Sequence, residues 1–189
     1  MPFEPMPHPW SVLASTLAAV TIVLTVASCS NLTPLGPDPA ATMPPIRHLG
    51  SPIILQEMLT QPPAPAGGCP AGYVAISGPA VANQCYRKIG APVTITSAGV
   101  SPVTEFPNRT PSGQAAYGVT VAVPAADVAA VTAILRQAYV SQGAVTTSVA
   151  GTTWAAPQVW EPFPGRQLQI ALNSRNQALQ LYRMLVPSG

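Results

Sequence analysis

The sequence predicts an α+β domain, a small and mostly antiparallel sheet with two helices packed on one face. Three observations carry that expectation. Tyr117-Gly118-Val119-Thr120-Val121-Ala122-Val123 and Gln167-Leu168-Gln169-Ile170-Ala171-Leu172 alternate apolar and polar residues with the period of half-buried strands. Two longer segments place apolar residues at helical spacing. The chain has 189 residues, 24 of them Pro, which leaves room for one folded unit with a modest core and not for two domains.

The first recognisable element is an apolar run, Trp10 to Val26, of 17 residues. As a helix this is at the lower limit for crossing a hydrocarbon layer of about 30 Å. It ends in Val26-Ala27-Ser28-Cys29, where small side chains stand directly before a cysteine. That ending resembles a bacterial lipobox. The resemblance implies cleavage after Ser28 and attachment of diacylglycerol, and of fatty acids such as palmitate, to Cys29 as the mature N-terminus. Residues 1–28 are then a lipoprotein signal peptide, and the protein is held at the extracytoplasmic face of the cell membrane through Cys29. The competing reading keeps the run as an uncleaved anchor helix with Cys29 as an inert thiol. The preceding MPFEPMPHPW carries Glu4 and no Lys or Arg, a departure from the positively charged start of such signals. Initiation at Met6 would remove Glu4.

Residues 29–68, with PLGPDP, MPP and QPPAPAGG, lack regular alternation and read as a Pro/Ala-rich tether. Within it Ile53-Ile54-Leu55-Gln56-Glu57-Met58-Leu59 is apolar enough to form a short helix or to dock on the domain.

Residues 69–189 read as the folded part. With Cys29 assigned to lipidation, Cys69 and Cys85 form an even pair outside the cytoplasm, where a disulfide is the default. A thiolate metal site is the alternative, and it is poor without neighbouring His or acid. Pro92 to Ser97 places Val93 and Ile95 on one face of a strand, and Tyr117 to Val123 forms a second strand. Asp127 opens a helix with Val128, Val131, Leu135 and Tyr139 or Ala138 on its apolar stripe, ending near Gln142 with a stop at Gly143. Val145 to Val149, Gln158 to Trp160 and Gln167 to Leu172 read as short strands. Asn173 then caps a second helix carrying Ala178, Leu181 and Leu185. The order is β-β-α-β-β-β-α.

This progression, from Val121-Ala122-Val123-Pro124-Ala125-Ala126-Asp127 to Gln177-Ala178-Leu179-Gln180-Leu181, resembles the head of the first periplasmic domain of SecD, part of the SecDF export accessory. Cys85 to Val100 looks like the lead-in of actinobacterial lipoproteins that carry this head alone. The likeness covers roughly residues 69 to 187 and includes no catalytic signature. It implies a surface that holds emerging polypeptide. The membrane bundle that drives SecD has no counterpart in the sequence, so the proton-driven step is not implied.

Composition narrows the chemistry. A net charge of +2 with no basic run longer than Arg87-Lys88 gives little to hold a phosphate backbone, so nucleic acid is not an expected partner. Only His8 and His48 are histidines, and Glu105, Asp127 and Glu161 are scattered, so no nucleophile-base pair, carboxylate pair or metal cluster can be assembled from the sequence. Asp127 is accounted for by its place in the first turn of a helix. Trp154, Trp160 and Phe163, in TTWAAPQVWEPFPG, are the candidate contact surface; the other reading makes them plugs for the end of a small core. Arg166, Arg175 and Arg183 read as a solvated face able to meet anionic headgroups. The expected function is therefore that of a non-catalytic, cofactor-free, lipid-anchored module that contacts exported polypeptides, translocase components or other envelope partners. The alternative is a carrier or sensor of a small apolar ligand such as a lipid.

Overall fold

A computed structural model describes residues 44–63, 68–109, 115–159 and 166–187. Within them the chain is an α+β domain whose strand ladders are all antiparallel. The elements run β1 (Arg47–Gln61), β2 (Val74–Ala75), β3 (Cys85–Val100), β4 (Thr104–Arg109), β5 (Ala115–Ala122), α1 (Val128–Val140), β6 (Ala144–Val149), β7 (Thr152–Ala155), β8 (Gln167–Leu172) and α2 (Arg175–Leu185). The main sheet path is β4-β5-β3-β1-β6-β7, with β8 added to β5 and β2 to β3. The expected antiparallel sheet with two helices is present, with more strands than the sequence announced.

The largest correction falls on the tether. Arg47–Gln61 lies in the middle of the sheet, between β3 and β6, so it is neither spacer nor short helix, and Ile53–Leu59 joins the domain as part of its central strand. The folded unit therefore begins at least as early as Pro44, not at Cys69, and the tether of residues 29–68 is cut short. Along this strand Ile53 and Leu55 face the helices, while Met58 faces the opposite side and pairs with Ala144. Two bulges break its ladder with β3. At the second, Leu55 pairs with Val93 and Glu57 with Ile89, so Gly90, Ala91 and Pro92 stand opposite Gln56 alone. Pro92 has no N–H to give a ladder, and Gly90 takes φ 62°, which lets the strand swing out and return. Gln56 fills the gap, its Nε2 donating to the carbonyls of Ile89 at 2.7 Å and Glu57 at 3.1 Å.

Both helices and the sheet share one apolar cluster. From α1 it takes Val131, Ile134, Leu135 and Ala138; Tyr139 is 41% exposed, so Ala138 is the residue that completes the stripe. From α2 it takes Ala178, Leu181 and Leu185, as their spacing predicted. Helix α1 ends at Ser141, followed by Gln142 at φ 52°. Gly143 is required for a different reason than a left-handed turn: a Cβ there would lie 2.5 Å from the Met58 carbonyl oxygen. Helix α2 is capped by Ser174, whose Oγ accepts from Gln177 N at 3.3 Å. Asn173, the expected cap, donates instead to the Pro79 carbonyl at 2.9 Å. Of the strand expected at Gln158 to Trp160, Gln158 forms a single bridge with Ala144 and Trp160 lies outside the described residues; the strand that follows β6 and pairs with it is Thr152–Ala155.

On the other side of the sheet Met58, Tyr86, Ala144 and Ala156 form a second, small cluster, covered by Ile76 and Val81. The segment that carries these covering residues is fastened at its base by the Cys69–Cys85 disulfide. It then runs against β7: the Ala80 N–H donates to the Trp154 carbonyl at 2.9 Å, and a Cβ on Gly78 would collide with the Thr153 carbonyl oxygen. The segment is thus a strap that covers both the back cluster and the free edge of β7.

Candidate functional site

Of the residues singled out in the sequence, Cys29, Trp160, Glu161 and Phe163 lie outside the described residues. Cys69 and Cys85 are joined, with their Cα atoms 5.4 Å apart, so neither thiol is left to hold a metal. Trp154 is 2% exposed and belongs to the main core, which removes it from the expected aromatic contact surface. It is pulled inward because a register shift between Thr147 and Ser148 makes it the extra residue of β7, turned toward the helix-covered side. Its indole N–H has no hydrogen-bond partner among the described residues. Asp127 stands at the N-cap of α1 with no side-chain cap bond, and Glu105 is exposed on β4. Arg166, Arg175 and Arg183 are all exposed, as a solvated face requires.

Two places have chemistry that the sequence did not bring together. The first is Glu57, a carboxylate only 1% exposed on the helix-facing side of the central strand. Ser141, the residue that ends α1, donates its hydroxyl to Glu57 Oε1 at 2.9 Å and lies 3.2 Å from the Ala138 carbonyl oxygen. A hydroxyl on a buried carboxylate invites comparison with a nucleophile and its base. The neighbouring backbone argues otherwise: the N–H groups of Ser141, Gln142 and Gly143 are donated to the carbonyls of Gln137, Tyr139 and Ala138. None is left to hold a developing oxyanion. The pair is a clasp between the end of α1 and the central strand. Glu57 and Ser141 are 84 positions apart, and neither spacing nor composition marks them as partners.

The second is a cleft of about 210 Å³ between the start of β1, the end of β3 and the last turn of α2. Leu49, Ala98 and Leu185, all buried, form its floor. Tyr182 and Val186 rise on the helix side, and Arg47 and His48 stand at the mouth. Arg47 pairs with Ala98 in the ladder, so its side chain shares the face of the sheet that Leu49 and Ala98 present to α2. Among the described residues no acidic side chain lines the cleft. Sequence reasoning missed it because half of its wall comes from residues 44–49, which the Pro-rich composition assigned to the tether.

Among the described residues no helix is long and apolar enough to cross a membrane, and no group of three His, Cys, Asp or Glu side chains is placed to hold a metal ion. Compared with known protein families, with curated proteins and with solved structures, the chain finds no match.

Proposed function

We propose that the protein is a lipid-anchored, extracytoplasmic binding module that contacts exported polypeptides or other envelope partners and carries out no chemistry itself. The observation that carries this reading is the Cys69–Cys85 disulfide, which fastens the strap over the back of the sheet and suits a domain that folds in an oxidising compartment. The sequence Val26-Ala27-Ser28-Cys29 after the apolar run supports attachment through an acylated Cys29. Helix-end capping accounts for the Ser141–Glu57 pair without a reaction. The succession β5-α1-β6-β7-β8-α2 supports the likeness to the SecD periplasmic head, although β1 adds a central strand from outside the stretch that suggested it.

With the fold beginning by Pro44, 14 residues separate it from Cys29, a reach of about 50 Å when fully extended. The module is thereby kept close to the membrane surface. Cys29→Ala should leave the precursor at full length and without fatty acid when cells are labelled with palmitate; unchanged processing and labelling would refute the anchor. Crosslinking from intact envelopes should recover polypeptide partners. Recovery of none, with the anchor confirmed, would refute the binding role alone.

A further inference from the structure

We propose that the cleft between β1, β3 and α2 binds a small amphiphilic anion, an acidic head group on a short apolar chain or ring. Its volume and lining set the ligand class. An apolar cavity of about 150 Å³ accepts benzene, so 210 Å³ with a floor of Leu49, Ala98 and Leu185 suits an apolar body somewhat larger than one ring. The charge at the mouth sets the head group. Arg47 offers a planar guanidinium able to take a carboxylate or phosphate through two N–H groups, and no acid among the described residues of the lining opposes it. Floor and head-group site are connected, because Arg47 and Leu49 lie on one face of the same strand, two residues apart. Burying the apolar body therefore brings the anion to the guanidinium.

Place in the molecule adds a second argument, which rests on the anchored reading. Pro44 and Pro45, where the chain arrives from Cys29, form part of the cleft wall. A module held within about 50 Å of a bilayer by that segment meets amphiphilic anions at high local concentration. These come from two sources, the anionic lipids of the membrane and free acids in the aqueous phase.

The test is calorimetric titration of the full chain in phosphatidylcholine nanodiscs with phenylacetate and its uncharged counterpart phenylacetamide. Phenylacetate should bind saturably at one site, at least tenfold more tightly than phenylacetamide. Arg47→Ala should erase that difference, and Val186→Trp, which fills the helix side of the cleft, should abolish binding of both. Arg183→Ala, outside the cleft, should change neither. Absence of saturable binding, equal affinity for the two probes, or an unaffected Arg47→Ala variant would overturn the proposal. Arg47→Glu, at an exposed position, carries the test if Val186→Trp does not fold. In nanodiscs containing phosphatidylglycerol, weaker phenylacetate binding identifies lipid as the competitor, whereas an unchanged affinity identifies soluble acids. The Cys29→Ala chain should retain phenylacetate binding, so failure of the anchor and failure of the cleft give different results.

Discussion

The two sides of the sheet are held by different means. On the helix side, twenty-four buried residues among those described, from six strands or their ends, both helices and the connecting residues Ala80 and Val159, make one continuous core. On the strap side four do, and their cover is a loop segment with a covalent fastening at its base. The helix side can rely on buried area, at roughly 25 cal/mol per Å² of apolar surface. A patch as small as Met58, Tyr86, Ala144 and Ala156 cannot offset the entropy of ordering a long loop over it, so restricting the unfolded chain takes over part of the task. Stability and locality thus divide between the faces: damage to the first should unfold the whole domain, and damage to the second should first release the strap.

The largest effect is expected at Leu181, fully buried in α2. Leu181→Ala should cost about 3 kcal/mol, read as one cooperative shift in chemical denaturation. Replacing Cys69 and Cys85 together by Ser should cost up to about 3 kcal/mol for a closed loop of this length. Its first sign should be proteolytic cleavage between Pro70 and Gln84 while hydrogen exchange in α2 stays slow. If the strap remains protected without its disulfide, or if α2 loosens together with it, the division between the faces fails.

The same contrast explains what was legible in the sequence. The apolar stripes of α1 and α2 and the alternation in β5 and β8 belong to elements with one buried face, so their periodicity shows. β1 has Leu55, Gln56, Glu57 and Met58 buried in succession, because β3 and β6 flank it and both faces are covered. A strand covered on both sides loses its alternation, and Pro44, Pro45 and Pro52 gave its surroundings the composition of a linker. The cleft was hidden with it. The two readings of Trp154, contact surface or core plug, could not be separated because a bulge, invisible in the sequence, decides which way its ring points. The cysteine pair was readable because its logic is one of counting and compartment and does not depend on register.

A smaller effect tests the join between the helix side and the central strand. Ser141→Ala removes the hydroxyl that Glu57 accepts and leaves a buried carboxylate poorer by one donor, a loss of about 1–3 kcal/mol. Glu57→Gln in the Ser141→Ala background should recover part of it, since a neutral amide is less costly to bury than a carboxylate. Equal stability of the single and double variants by urea titration would show that the clasp bears no load.

On the strap side, burial pushes the Tyr86 phenol above its ordinary range, so its contribution is present below the unfolded value of about 10 and is lost as pH rises through the folded one. Tyr86→Phe gives up the hydrogen bond to the Ala82 carbonyl at 3.2 Å, worth about 1 kcal/mol at neutral pH. The gap between the two proteins should narrow in strongly alkaline solution. A gap that widens there would contradict the burial of the phenol.

The smallest effect belongs to the turn between β6 and β7, the edge that the strap covers. Ala150 and Gly151 join the strands with φ 49° and 78°, the two left-handed residues of a type I′ hairpin. Gly151 adopts this conformation without cost, but Ala150 pays roughly 1 kcal/mol for its Cβ. Ala150 is exposed, so nothing in the packing requires the methyl group. Ala150→Asn, the residue such turns prefer, should therefore raise stability by about 0.5–1 kcal/mol in a denaturant titration. Because the turn lies at the far end of β7 from Ala155, where Ala80 pairs, the gain should be the same in the wild-type and the disulfide-free backgrounds. A gain that vanishes without the disulfide would mean that the strap and the hairpin fold as one unit, and the boundary between the two faces would have to be drawn beyond β7.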